Sequence, residues 1–217
     1  MKLSKKNVEV TITILTGFHI GVGNDKLQIG GVDSPIIKDP ISDLPYIPGS
    51  SLKGKIRCLL ETEGGFEDGT LNEQLNTFFG QTTDYTNKKK KELEQKKKQG
   101  ETINENFESP TRILFRDIFL NQDYKEKYKS GKIGTEIKTE ISIDRAKGSA
   151  KDGALRFIER VPPGTIFQGE ILIRYTSQTE LENIQKILTN GFELLNNDYL
   201  GGSGSRGYGA VQINHNL

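Results

Sequence analysis

The sequence predicts an α+β fold of the ferredoxin-like type, built on an antiparallel sheet. Two observations support this fold class. Stretches that alternate apolar and polar residues and are rich in β-branched side chains occur near both ends of the chain and in its middle. Stretches with a helical repeat of apolar residues follow the first strand and precede the last one. The order is β-α-β, an insertion and β-α-β, which gives a βαββαβ core in a single domain over residues 1–217.

The first half of the pattern begins with a strand in "VEVTITILT", residues 8–16, where side chains alternate with a period of two. A glycine-punctuated insertion follows over residues 17–49. The first helix starts after it, because Ser50 or Ser51 can cap a segment with a helical apolar repeat. Its predicted buried face consists of Leu52, Ile56, Leu59 and Leu60.

A shorter second helix begins at a capping box formed by Thr70 and Glu73 and ends at Gly80. Residues 84–109 then change abruptly to a lysine-rich composition with hardly any apolar side chains. They have no core to contribute, so a solvated helix or a disordered insertion is favoured over a dedicated RNA-binding arm.

The second half holds the strands "RILFRDIFL", residues 112–120, and "IFQGEILIRYTS", residues 166–177. The polar segment between them, residues 121–164, is interpreted as another insertion. A helix then opens at a capping box on Thr179, and the strand "GYGAVQIN" closes the chain. The apolar stripe of this helix is Leu181, Ile184, Leu188, Phe192 and Leu195.

The composition and charge of the chain limit the classes of function that can be expected. The net charge of +1 and the pI near 7.7 are far from the strongly basic values of many nucleic-acid binders, so the local arrangement of basic groups matters more. No run of 18 apolar residues occurs and the first residues alternate as a strand does, so we expect a cytoplasmic protein without a membrane partner. The single cysteine, Cys58, cannot form an internal disulfide and is expected to fill the core.

Two stretches match phosphate-binding motifs without their structural context. "GSSLKGK", residues 49–55, fits G-x-x-x-x-G-K, but Ile56 stands where a P-loop needs Ser or Thr. "GSGSRG", residues 202–207, fits G-x-G-x-x-G, but it follows a helix and precedes a strand, the reverse of a dinucleotide fold. Neither an ATPase nor a dinucleotide-binding enzyme is therefore predicted.

Both stretches nevertheless have features that favour the binding of phosphate groups. Glycine-rich backbone and a helix start, together with Lys53, Lys55 and Arg57, can hold the phosphates of a polynucleotide. "RGYGAVQI" approaches the consensus of RNA-recognition (RRM-like) domains, but Ala210 replaces a stacking aromatic residue. Contact with the RNA backbone is thus favoured over base stacking, and a glycine-rich turn with an incidental arginine is the alternative.

The stretch "IGGVDSPIIKDP", residues 29–40, presents one carboxylate in a shaped loop. The glycines permit unusual backbone angles, and Pro35 steers Ser34 towards an extended conformation. Asp33 then either caps its own turn through its side chain or carries chemistry. The local sequence leaves both readings open.

Several stretches together resemble a known family: "TGFHIGVGN", "IGGVDSPIIKDP", "YIPGSSLKGKIR", "TEIKTEISIDR", "IERVPPGTIF" and "YLGGSGSRGYG". They are similar to the repeated backbone subunit of type III-A CRISPR effector complexes, the Csm branch of the RAMP superfamily. The resemblance covers nearly all of the chain except the lysine-rich insertion. It implies a protein that assembles with copies of itself and with other subunits on a CRISPR guide RNA, and that cuts complementary target RNA.

In this resemblance Asp33 is the catalytic carboxylate and works with a divalent metal, Mg²⁺ or Mn²⁺. One carboxylate holds magnesium weakly, since the ion keeps several waters and borrows phosphate oxygens, so we expect the metal to bind only with target RNA. Asp25, Asp39 and Asp43 are candidates for a second ligand, and each is equally well explained as a turn residue.

The resemblance also implies a projecting hairpin, or thumb, between about Thr135 and Pro163. Three arginines on it would contact nucleic acid or a neighbouring subunit: Arg145, Arg156 and Arg160. For His19, a contact to the guide backbone is favoured over a role as general base. The full set of predicted RNA contacts is His19, Ser50, Ser51, Lys53, Lys55, Arg57, Gly202, Ser203 and Arg206.

Three hypotheses about function follow. The first is an RNA-guided endoribonuclease that uses Asp33. The second is an RNA-binding scaffold whose loop is idle, which would bind target without cutting it. The third is a guide-processing nuclease that uses His19 and needs no metal. Metal dependence, together with the residue whose loss stops cutting, separates the three.

Overall fold

A computed structural model of the protein describes residues 3–22, 32–64, 69–81 and 110–217. Over these ranges the chain forms an antiparallel sheet of six strands, helices packed on one face of it, and a separate two-stranded hairpin. None of the helices described there combines the length and the apolar character needed to cross a membrane.

The elements follow the predicted order. The strands are β1 (Ser4–Ile14), β2 (Tyr46–Ile47), β3 (Ile113–Phe115), β4 (Ile118–Leu120), β5 (Glu136–Asp144), β6 (Ser149–Arg160), β7 (Ile166–Tyr175) and β8 (Val211–His215). The helices are α1 (Gly49–Gly64), α2 (Gly69–Phe79), α3 (Gln122–Lys129) and α4 (Gln178–Asn196). The main sheet has the order β2-β4-β7-β1-β8, with β3 also paired to β7. The predicted ferredoxin-like α+β fold is confirmed.

The core lies between β1, β7 and the helices α1 and α4. Alternate residues of β1 are fully buried, as its period of two predicts: Val8, Val10, Ile12 and Ile14. At Gly191 in α4 a Cβ would stand 2.6 Å from Cγ2 of Ile56, so glycine allows the two helices to approach closely. The predicted stripes of both helices face this core, and their buried members include Leu52, Leu60, Leu188 and Phe192.

The start of α1 differs from the prediction. The expected strand over 112–120 is broken into β3 and β4, and the break places Asp117 at the helix start. Its Oδ1 accepts a hydrogen bond of 2.8 Å from the Gly49 N–H. Ser50 and Ser51 therefore do not cap α1, because a carboxylate distant in sequence takes that role and both serines lie inside the helix.

The start of α4 lies two residues before the predicted capping box on Thr179. Ser177 is the cap, and its Oγ accepts from the Glu180 N–H at 3.2 Å. The Glu180 carboxylate reaches back and accepts from the Thr176 N–H at 2.6 Å. The prediction placed the box on the wrong hydroxyl residue because Ser177 and Thr179 both have a glutamate three positions later.

Cys58 is exposed, so the prediction that it fills the core is wrong. Ile56 and Leu60, two residues before and after it, are both buried. Two residues turn an α-helix by about 200°, so a residue midway between two core positions faces solvent.

Helix α2 confirms the second predicted helix, with Leu75, Phe78 and Phe79 buried. It ends at Gly80, which has φ +96° and so uses the freedom of glycine. The side chain of Thr70 and the lysine-rich stretch 84–109 lie outside the described residues.

The segment predicted as an insertion over 121–164 contains α3 and the β5–β6 hairpin. The hairpin forms its own sheet, pairing Glu136 with Arg160 at one end and Asp144 with Ser149 next to the turn, with a register shift near Ser142. Its strands therefore do not belong to the main sheet. Its exposed apolar residues are Ile137, Ile141, Ile143, Leu155 and Phe157.

Candidate nucleic-acid interface

Four parts of the chain meet where the hairpin joins the body of the fold. They are the segment after β1 (residues 17–20), the Asp33 segment (32–38), the hairpin root (135–140 and 156–161) and the glycine-rich loop (201–209). Their sequence positions span almost the whole chain. Backbone hydrogen bonds, which fix relative position more strictly than side-chain contacts, join them.

The hairpin root is the common partner in this junction. Phe18 and Val161 exchange two backbone hydrogen bonds, of 3.0 and 2.8 Å. On the other side of the root, the Ser34 N–H donates to the Phe157 carbonyl at 3.2 Å, and the Glu159 N–H donates to the Ser34 carbonyl at 3.0 Å. The Asp33 segment thus lies along β6 as a short parallel bridge.

Asp33 itself is exposed, and its carboxylate is attached to the hairpin. Oδ2 accepts a hydrogen bond of 2.7 Å from the Phe157 N–H. The side chain therefore does not cap its own turn, which was the simpler of the two readings of the sequence. Among the described residues no hydrogen bond reaches Oδ1, so this oxygen is free to accept from or coordinate a ligand.

A cleft of about 240 Å³ opens beside the Asp33 segment. Its walls come from the segment after β1, both strands of the hairpin and the glycine-rich loop. The polar and charged residues that line it are His19, Ser34, Glu140, Ser142, Arg156, Ser203 and Arg206. Four of the predicted contact residues, His19, Arg156, Ser203 and Arg206, are therefore brought together.

His19 is oriented by two backbone contacts. Its Nδ1–H donates to the Glu159 carbonyl at 2.8 Å, and its own carbonyl accepts from the Gly202 N–H at 2.8 Å. In the neutral ring this leaves Nε2 as an acceptor. The geometry suits either a contact to an RNA hydroxyl or proton transfer, so both sequence-based readings of His19 remain.

Arg206 is exposed and is held at the cleft by two partly buried partners, Ser203 and Glu140. Its guanidinium donates to the Ser203 hydroxyl, and its Nε lies 3.3 Å from Oε2 of Glu140. The Tyr208 hydroxyl donates to Oε1 of the same glutamate at 2.6 Å. Burial, and then Glu140, raises the pKa of Tyr208 to about 12, so its hydroxyl stays a donor at neutral pH.

The basic residues of α1 lie apart from this cleft. Nζ of Lys55 pairs with Oδ2 of Asp198 at 2.9 Å and lies 3.8 Å from the centre of the Tyr199 ring. Burial, and then Arg57, lowers the pKa of Lys53. Arg57 donates to three internal acceptors, on Glu61, Asn76 and Gly80. RNA contacts by these residues stay predictions, and one by Arg57 would compete with its internal bonds.

The three hairpin arginines have different surroundings. Arg145 lies in the exposed turn at the tip, and Arg156 lines the cleft. The Arg160 side chain is only 16% exposed, pairs with Glu136 at 2.6 Å and lies over the Tyr208 ring. Arg145 and Arg156 are accessible to a ligand, whereas Arg160 mainly fastens the hairpin to the glycine-rich loop.

The candidate metal ligands other than Asp33 do not gather around it. Asp39 caps a turn by accepting from the N–H groups of Ile41 and Ser42, and Asp43 has φ +55° in the same turn. Asp25 lies outside the described residues, and over the described part of the chain no three acidic, histidine or cysteine side chains cluster. A lone carboxylate suits a magnesium ion whose remaining ligands are water and RNA phosphate.

Glu159 is the residue that sequence reasoning missed. Its side chain is buried, with Oε1 bound to Lys38 at 2.8 Å and Thr135 at 2.7 Å, and Oε2 to the Ile36 N–H at 3.1 Å. Burial raises its pKa, but these partners outweigh it and hold the pKa below the usual value. An ionised Glu159 thereby joins the Asp33 segment to the hairpin root, and nothing in the sequence distinguishes it from neighbouring glutamates.

Comparison with known proteins gives the family. The RAMP superfamily profile matches residues 11–212, which is nearly the whole chain. The chain belongs to the RAMP superfamily. Among curated RAMP proteins, the CRISPR system Cms endoribonuclease Csm3 of Methanocaldococcus jannaschii is 40% identical over 95% of this chain and 77% of its own length. Csm3 of Streptococcus thermophilus is 36% identical over 97% of this chain and 88% of its own length.

A solved RAMP assembly has a similar fold. One chain of the Csm3–Csm4 subcomplex from the type III-A CRISPR–Cas interference complex is 25% identical, with a TM-score of 0.54. The match covers 98% of this chain and 77% of that chain. The RAMP membership predicted from the sequence motifs is confirmed, and the relatives place the chain in the Csm3 endoribonuclease group.

Proposed function

We propose that this RAMP protein is the guide-RNA-binding backbone subunit of a type III-A CRISPR interference complex, acting in the cytoplasm. In this role it cuts complementary target RNA, with Asp33 as the catalytic residue. The observation that carries the proposal is the attachment of the Asp33 carboxylate to the hairpin root, beside a cleft lined by Arg156 and Arg206. The names of the relatives support it, because they describe endoribonucleases and a type III-A complex.

RNA carries its own nucleophile, the 2′-hydroxyl, so the protein has to orient the backbone and handle charge and protons. The cleft arginines hold phosphates, and the exposed carboxylate of Asp33 lies next to Ser34, which lines the cleft. Among the described residues no hydrogen bond reaches its Oδ1, which can accept a proton or a ligand. A bound Mg²⁺ or Mn²⁺ would offset the charge that develops on the scissile phosphate. Asp33 is the residue that would hold it, together with oxygens of the target RNA.

Removal of metal is the first test of the proposal. We expect the assembled complex to cut an end-labelled RNA matched to its guide when magnesium is present, and to stop when a chelator is added. Binding of the same target should persist in chelator, because it rests on base pairing and backbone contacts. Added magnesium or manganese should restore cutting.

A second candidate function, metal-independent processing of guide RNA, rests on His19 and its free Nε2 at the cleft. It predicts that a precursor RNA is cut in chelator and that His19→Ala stops this cutting. If target cleavage persists in chelator, the proposal of metal-dependent cutting by Asp33 fails, and a metal-independent nuclease that uses His19 is favoured. If target binds tightly but is never cut, the chain is a scaffold.

Arg206 provides a test of the interface that does not depend on cutting. We expect Arg206→Ala to weaken the binding of guide RNA to a similar degree for guides of unrelated sequence, and to reduce the slope of log affinity against log salt by about 1. The reason is that an exposed arginine beside the cleft contributes one phosphate contact. Affinity is measured by fluorescence anisotropy over a series of salt concentrations.

An unchanged slope for Arg206→Ala would remove this residue from the interface. Lys132→Ala is a suitable control, because Lys132 is an exposed cation that follows α3 and does not line the cleft.

A further inference from the structure

The cleft contains one group that a phosphate-binding surface would be expected to avoid. Glu140 on β5 lines it together with His19, Arg156 and Arg206. Its side chain is partly shielded, at 21% exposure, and its carboxylate faces the positive groups instead of open solvent. A fixed negative charge there repels an incoming phosphate and lowers the affinity of the cleft for RNA.

The partners of Glu140 are those that an RNA phosphate would use. Oε2 lies 3.3 Å from Nε of Arg206, and Oε1 accepts from the Tyr208 hydroxyl at 2.6 Å. Nζ of Lys138 lies 3.4 Å from Oε1. A guanidinium, an ammonium and a hydroxyl directed at one pair of oxygens make a donor set equally suited to a phosphate.

The carboxylate is ionised in this setting. The hydrogen bond from Tyr208 is the largest of the effects that lower its pKa, and Arg206 and Lys138 add to it. Glu140 therefore keeps its charge at neutral pH and occupies Arg206 whenever RNA is absent.

We propose that Glu140 is a specificity-determining residue of the RNA interface, an internal competitor that occupies Arg206 and Tyr208 until an RNA backbone of matching shape displaces it. This inference rests on the proposed function, since it names a control on the same cleft. A phosphate that contacts only Arg206 gains little binding free energy, because it must replace the existing ion pair between Arg206 and Glu140. A strand that also engages Arg156, His19 and the Asp33 segment gains enough contacts to do so.

The test is Glu140→Gln in the full chain, titrated with a fluorescently labelled single-stranded oligouridine. Glutamine keeps an acceptor for the Tyr208 hydroxyl and removes the charge. We expect affinity for this unspecific RNA to rise about fivefold or more, and the salt slope to steepen as Arg206 becomes available for phosphate. In the assembled complex, discrimination between matched and unrelated target RNA should fall.

Glu136→Gln is the matched control. Glu136 lies on the same strand and the same face of the hairpin, four positions earlier, and pairs with Arg160 away from the cleft lining. It removes an equal charge, so a general electrostatic effect would appear in both variants. We expect the gain in affinity only for Glu140→Gln, and only while Arg206 is present; in an Arg206→Ala background it should largely disappear.

Affinity that is unchanged or lowered by Glu140→Gln overturns the competitor role, as does an equal gain in Glu136→Gln. These outcomes are distinct from failure of the proposed function. If the unmodified chain and its assembled complex bind no RNA, the proposed function fails; if they bind RNA and Glu140→Gln changes nothing, only this inference fails.

Discussion

Asp33→Asn is expected to lower the rate of target RNA cutting by the assembled complex about 100-fold or more, with target affinity unchanged. Loss of a positioned acid, base or charge-stabilising group typically costs this much. Asparagine retains an oxygen that can accept from the Phe157 N–H, as Oδ2 does now at 2.7 Å. The loop should therefore stay in place while its charge is lost. Single-turnover cleavage of end-labelled target measures the rate, and binding is measured on the same RNA.

Asp43→Asn is the control for this result. Asp43 is also an exposed loop carboxylate, and its φ of +55° is a conformation that asparagine tolerates as well as aspartate does. Its cutting rate should match that of the unmodified complex. Wild-type cutting by Asp33→Asn would refute the proposed site even if the protein proved to be a nuclease.

Gly201→Ala is expected to reduce both the stability of the fold and RNA binding. Gly201 has φ +86°, and a Cβ there would overlap the carbonyl oxygen of His19. The backbone angle alone costs about 1–3 kcal/mol for a residue other than glycine. The overlap adds to this cost. It also pushes the glycine-rich loop away from His19, which displaces Ser203 and Arg206 from their positions in the cleft. Thermal unfolding and RNA titration measure the two effects.

Gly207→Ala separates the two contributions. Gly207 has φ +82°, nearly the same angle, but a Cβ there meets nothing within 4 Å. This variant should lose only the stability due to the backbone angle and should bind RNA nearly as well as the unmodified chain. Equal losses in both variants would show that contact with His19 does not matter.

The local features of the fold were predictable because they depend on residues close in sequence. The alternation in β1 and the apolar stripes of α1 and α4 follow directly from which side of each element faces the core. The family was predictable for a different reason. Short motifs such as the Asp33 loop and the glycine-rich loop occur in a fixed order, and that order is far more specific than any one motif.

Features that depend on distant residues could not be predicted in this way. The capping of α1 by Asp117 needs knowledge of where β3 ends, and the role of Glu159 needs the position of the Asp33 segment beside β6. The meeting of His19, Arg156 and Arg206 in one cleft is likewise a product of the bridges at the hairpin root. Sequence patterns identified these residues individually but not their arrangement.

The bond between Asp33 and Phe157 links a loop to a hairpin that forms a sheet of its own. With the Ser34 bridge to β6, it fixes the position of the Asp33 carboxylate relative to the hairpin. In the proposed assembly, each copy of the chain would then carry its carboxylate at a constant offset from its own hairpin. The distance between successive cuts on a target RNA would then equal the spacing of the protein subunits along it. The base sequence of the RNA would not change this distance.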